Sequence, residues 1–203
     1  MAIADALDTE SLEAQIAAAP SPIGPARKAL KAAYEEHAKA FTNGADVREL
    51  VLARALTVDR ILSLLWQRYP FSESNDIALI AVGGYGRCEL HPHSDIDLLI
   101  LTRRDVSEEW QEDLSTFITL LWDLKLDIGH SVRSIDECLT AARGDVTILT
   151  NLLETRTIVG PDNLRSALSH QIYSDNVSED RAYFIAKREE QRRRHEKYGD
   201  TEY

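Results

Sequence analysis

The chain has 203 residues, with 34 acidic against 23 Lys and Arg side chains and a formal net charge of −11. At about 150 residues per domain this is one domain, or one and part of a second, and the negative sign disfavours a broad nucleic-acid footprint. No run reaches the ~18 apolar residues of a membrane span, and the first eight residues lack the basic and apolar parts of a secretory signal, so a cytoplasmic protein without membrane contact is expected. Cys88 and Cys138 form no CxxC and no zinc-ligand spacing, which fits free thiols in a reducing compartment.

In chain order, the alanine-rich stretch to about Asn43 reads as two helices punctuated by Pro20, Pro22 and Pro25. Gly24 is placed as the cap of the second, with Pro25 at its first helical position, and Gly44 as its stop. Asp46 and Glu49 resemble a capping box. Behind them Val51, Ala55, Val58, Leu62, Leu65 and Tyr69 form an amphipathic stripe that Pro70 ends. Ile77–Val82 is a short apolar run and reads as a buried strand, followed by a turn at Gly83, Gly84 and Gly86. Ile96–Leu101 is a second strand, Ser107–Lys125 a helix, and Leu126–Val132 a third strand. Ser134 and Glu137 cap a helix to about Arg143. A helical pattern covers Asp145–Glu154, Thr157–Val159 is a short strand or a loop, Pro161 opens a further helix, and Ser178–Tyr198 is the last. The expected segments are a helical region over 1–70, a β-rich core over 71–133 and a helical region over 134–203.

The chemistry concentrates between Ala81 and Leu98. Side chains two apart on a strand share a face, so Asp95 and Asp97 stand together while Ile96 and Leu98 face a core. Paired carboxylates resist joint ionisation unless a cation lies between them, and oxygen ligands of this kind suit Mg²⁺ with substrate phosphates. Gly83 and Gly84 end the first strand, where the lack of a Cβ lets a phosphate approach the backbone N–H groups. Ser94 adds a hydroxyl. Asp127 is the preferred third carboxylate, with Asp123 and Asp136 as competitors. Arg87 is either a phosphate contact or a structural partner of Glu89. His91 and His93 are read as plain loop residues, and the charged run Lys187–Lys197 as a solvated helix face.

Two glycines followed by Ser-Asp-x-Asp on a strand resemble the DNA polymerase β-like nucleotidyltransferase superfamily. The longer string Gly83-Gly-Tyr-Gly-Arg87, Glu89-Leu90, Pro92 and Ser94-Asp-Ile-Asp-Leu-Leu99 resembles more closely the bacterial PII uridylyltransferase family. Leu121–Arg133, Glu137-Cys138 and Arg192–Tyr203 agree with it. The resemblance implies an α+β fold: a small mixed β-sheet of the polymerase β-like nucleotidyltransferase type, flanked by N-terminal and C-terminal helices. It implies Mg²⁺-dependent transfer of UMP from UTP to a tyrosine of the signalling protein PII. Asp95 and Asp97 match the metal pair, and Gly83, Gly84 and Ser94 the triphosphate contacts. Asp127 falls at the third carboxylate and is a candidate general base. Cys88 stands where the family has glycine. The family's enzymes are several times longer, with uridylyl-removing and glutamine-sensing domains, so a fragment without those two activities is expected. An adenylyltransferase, or a nucleotide- or PII-binding fragment without catalysis, remains the alternative.

Overall fold

The computed structural model describes residues 8–105, 108–174 and 192. The α+β class and the small mixed sheet flanked by N-terminal and C-terminal helices are as expected from the sequence; the sheet has four strands, and helices cover both its faces. The strands are β1 (Ile77–Ala81), β2 (Ile96–Thr102), β3 (Ile128–Ser134) and β4 (Arg156–Val159), in the spatial order β3-β2-β1-β4. β1 pairs antiparallel with β2 and with β4, whereas β2 and β3 are parallel. A parallel neighbour needs a long crossover; here α5 (Glu108–Asp123) supplies it.

Every side chain of β1 is buried, which explains its unbroken apolar run. Alternation then sends Ile77, Leu79 and Ala81 to one face with Ile96, Leu98 and Ile100, and Ala78 and Ile80 to the other with Leu99 and Leu101. The first face is covered by α1 (Thr9–Ala18), α2 (Ile23–Thr42), α3 (Val47–Trp66) and α5. Trp66, Phe71 and Phe117 meet there edge to face, with centroids 4.6 and 5.3 Å from the Trp66 ring. The second face is covered by α6 (Ile135–Gly144), α7 (Val146–Leu153) and α8 (Asp162–Ser174). Each fully buried Leu, Ile or Phe contributes about 1.5–3 kcal/mol.

Local signals set most boundaries. Ser134 and Glu137 form the reciprocal capping box of α6, and Asp145 accepts from the N–H groups of Thr147 and Ile148 to start α7. Gly44, at φ +84°, closes α2: its N–H reaches Phe41 O and that of Ala45 reaches Ala40 O. Some boundaries differ from expectation. α2 begins at Ile23, so Gly24 and Pro25 lie inside its first turn, where missing N–H groups cost little. α3 stops at Trp66, before Pro70, because Pro70–Glu73 forms a separate 3-10 turn. β1 ends at Ala81, since Val82 caps α4 (Gly83–Gly86), and the turn expected at these glycines is a single helical turn. β3 begins at Ile128 instead of Leu126, because Lys125 turns the chain at φ +58°. Arg156–Val159 is a strand, resolving the strand-or-loop alternative. Ser107 and, apart from Arg192, the expected helix Ser178–Tyr198 lie outside the described residues. Among the described residues, no helix is long and apolar enough to cross a membrane.

Candidate active site

The site lies at the end of the sheet face that carries α6–α8. β1 leaves the sheet at Val82, whose N–H still reaches Asp97 O at 3.1 Å, and turns at once into α4. Gly83 takes φ +60°, a region that L side chains rarely adopt. A Cβ there would stand 3.2 Å from Asn151 Oδ1 and 3.9 Å from Asp97 Oδ2, so the glycine backbone borders both groups. At Gly86 a Cβ would overlap the backbone carbonyl of Glu154, so α4 rests directly on the segment after α7.

A buried network holds this turn. The Tyr85 hydroxyl donates to Asp59 Oδ1 at 2.6 Å, and burial raises its pKa well above the ordinary phenol value. Arg156 donates to both oxygens of Asp59 and, at 3.2 Å, to the carbonyl of Tyr85. α3, α4 and β4 thus meet at one carboxylate, doubly bonded by a guanidinium.

The loop from Arg87 to Asp95 makes two left-handed turns at non-glycine residues, Cys88 (φ +61°) and His93 (φ +70°). The Arg87 guanidinium is bound to Glu89 at 2.8 Å and to Glu154. Of its two expected roles, the structural pairing with Glu89 is therefore observed. His91 and His93 are exposed. The Ser94 N–H turns back to His91 O at 3.1 Å, and Ser94 hands the chain to Asp95.

Asp97 lies in β2 directly opposite Gly129 of β3. A Cβ on Gly129 would come within 2.5 Å of Asp97 Oδ1, so this glycine keeps the space that the carboxylate occupies. Asp97 is half-buried. That burial, and then the neighbouring charge of Asp95, raise its pKa above the usual carboxylate value. No ion pair to Lys or Arg is made by Asp95 or Asp97 among the described residues. Such a donor set, short of positive charge and made of oxygen alone, fits a hard divalent cation.

Asp127 precedes β3 and is exposed; its carbonyl accepts from Ile96 N at 2.8 Å, which fixes it beside the start of β2. Its place, two residues before Gly129, keeps it in alternation with the face of Asp97. Among the described residues, no group of three or more His, Cys, Asp or Glu side chains is placed to hold a metal ion. Asp123 ends α5, and Asp136 sits in the first turn of α6.

A cleft of about 270 Å³ opens beside Asp97, walled by Gly129, Ser131 and Arg133 of β3 and by Ile148 and Asn151 of α7. The sequence reading missed Asn151, the packing demand at Gly129, and the Asp59–Arg156 pair. A glycine inside a strand pattern is a general sign of close approach, and Asp59 is a carboxylate at the border of the apolar stripe of α3; both were available signals. Asn151 carried none, since only the fold brings α7 to the glycine turn.

Residues 58–196 match the nucleotidyltransferase domain family. The chain is similar to proteins named bifunctional uridylyltransferase/uridylyl-removing enzyme. It is 49% identical to that of Azotobacter vinelandii over 199 residues, 98% of this chain and 22% of the relative. It is 48% identical to that of Ectopseudomonas mendocina and 46% to that of Pseudomonas aeruginosa, each over 196 residues, 97% of this chain and 22% of the relative. The chain therefore spans about a fifth of the length of the curated relatives it matches.

Proposed function

This chain belongs to the nucleotidyltransferase domain family, and on that premise we propose that it transfers UMP from UTP to a tyrosine of the signalling protein PII, with release of pyrophosphate, in the cytoplasm. The observation that carries the reading is Asp97: a half-buried carboxylate with a raised pKa, facing the glycine turn beside Asp95. The names of the similar proteins support the choice of UTP over other nucleotides.

In this reading Asp95 and Asp97 hold Mg²⁺, with Asp127 as the third carboxylate. A magnesium ion bound there supplies charge neutralisation at the triphosphate. The N–H groups of Gly83 and Gly84 and the hydroxyl of Ser94 donate to phosphate oxygens. They favour the charge that grows on the α-phosphate as the tyrosine oxygen attacks. Asp127 takes the phenolic proton as the new P–O bond forms and the bond to pyrophosphate breaks. Arg87, committed to Glu89 and Glu154, acts by bracing the loop beside the phosphates.

Calorimetric titration of the chain with UTP and with ATP, each with Mg²⁺ and with EDTA, tests this. Metal-dependent binding that favours UTP is expected. Equal affinity for the two nucleotides would leave the family without the uridylyl preference and reopen the adenylyl reading. Binding that is indifferent to EDTA would remove the metal role of the aspartate pair.

A further inference from the structure

A second cavity, of about 400 Å³, lies between α2, α3 and the loop Leu90–Pro92. That volume is in the range of small-molecule sites. Its floor and mouth are apolar: Leu50, Val51, Leu90 and Pro92 line it, with Phe41 and Val47, 62% and 49% exposed, at the rim.

Four polar side chains interrupt this lining; His91 is exposed, and the other three, Tyr34, His37 and Arg54, carry buried polar atoms without a hydrogen-bond partner. Among the described residues, seven buried side-chain nitrogen or oxygen atoms have no hydrogen bond. Four of them sit here: Tyr34 Oη, both ring nitrogens of His37, and Arg54 Nε. Each such atom costs about 1–3 kcal/mol, so four in one wall call for an explanation. His37 is only 8% exposed. Arg54 lies over the Tyr34 ring with its central carbon 3.6 Å from the centroid, and it pairs with no carboxylate among the described residues. The surrounding apolar side chains draw its pKa down.

We propose that this cavity binds a small amphipathic oxyanion, a carboxylate or phosphate carried on an apolar body. The geometry assigns the parts. The Arg54 fork meets the anionic head, as guanidinium groups do with either oxyanion. His37 and the Tyr34 hydroxyl supply further donors. The apolar body fills the space between Leu50, Val51 and Pro92. The cavity is separate from the cleft beside Asp97, sharing no lining residue with it. It does share the loop that leads on to Ser94 and Asp95.

The test is ligand-observed NMR titration of the whole chain with 3-phenylpropionate, with phenyl phosphate and with the neutral 3-phenylpropanamide. At least one of the two anions is expected to bind saturably and at least about tenfold more tightly than the amide, the size of one charge-assisted contact. Which anion binds identifies the head group. Arg54→Gln is expected to abolish the preference for the anion, while Lys28→Gln, which removes an exposed charge elsewhere on α2, leaves it unchanged. Ala38→Trp, at an exposed lining position, is expected to block both ligands without altering the Mg²⁺-UTP titration, so failure here is distinguishable from failure at the nucleotide site. The proposal is overturned if neither anion binds saturably, if anion and amide bind alike, or if UTP displaces the anion by competition.

Discussion

Two carboxylates flank the same glycine turn and meet opposite fates. Asp59, below it, receives the Tyr85 hydroxyl and two N–H groups of Arg156. Asp97, above it, has a second carboxylate for a neighbour and, among the described residues, no Lys or Arg ion pair. Both are drawn partly out of water. The first is completed from within the chain, so its work is to hold α3, α4 and β4 together. The second, in the function proposed above, is completed by a charge from outside. The turn is therefore fixed on one side and open on the other, as a site for a charged substrate requires.

The sharpest way to break this comparison is to neutralise each member in turn. Asp97→Asn is expected to lower the proposed uridylyl transfer by at least about a hundredfold. The same change should raise the melting temperature of the metal-free chain at neutral pH. The sign follows from the raised pKa: the folded state binds the proton more readily than the unfolded one, so stability falls as pH rises through that window. Thermal scans across pH should show the variant's advantage vanish below the ordinary aspartate pKa.

Gly129→Ala probes the open side without touching charge. A methyl group 2.5 Å from Asp97 Oδ1 must push the carboxylate aside. Steady-state kinetics should show a loss of about ten- to a hundredfold, since displacements near 1 Å cost that much. An unchanged rate would mean that the position of Asp97 is not critical.

On the fixed side, Asp59→Asn strands the Arg156 guanidinium. The expected loss is about 3 kcal/mol, or roughly 6–12 °C in melting temperature. A smaller loss would reduce the network to ordinary packing. The least effect is expected from Cys88→Gly in the loop between the two sides. Relief of the left-handed backbone at φ +61° should gain about 0.5–1 kcal/mol after the extra chain entropy of glycine, measurable as a small rise in denaturant midpoint.

Most of the fold was legible because its signals are local. The apolar run Ile77–Ala81, the Ser134–Glu137 capping box and the stripe of α3 each follow from residues close in sequence. The aspartate pair and the glycines were legible for the same reason. What escaped depends on distant chain segments. Nothing near Arg156 says that it reaches Asp59, and nothing near Asn151 says that it borders Gly83. The β3 boundary was misplaced because Lys125 adopts a conformation that glycine or asparagine normally announces.

The Asp59–Arg156 pair joins residues 97 apart in sequence. During synthesis at about 5–20 residues per second, the segment carrying the glycines and both aspartates leaves the ribosome well before the arginine that braces it, an interval on the order of ten seconds. The glycine turn thus emerges early and is braced late. A nascent chain presents its negative pair before the frame that holds the turn exists, and that frame is complete only once β4 has joined the sheet.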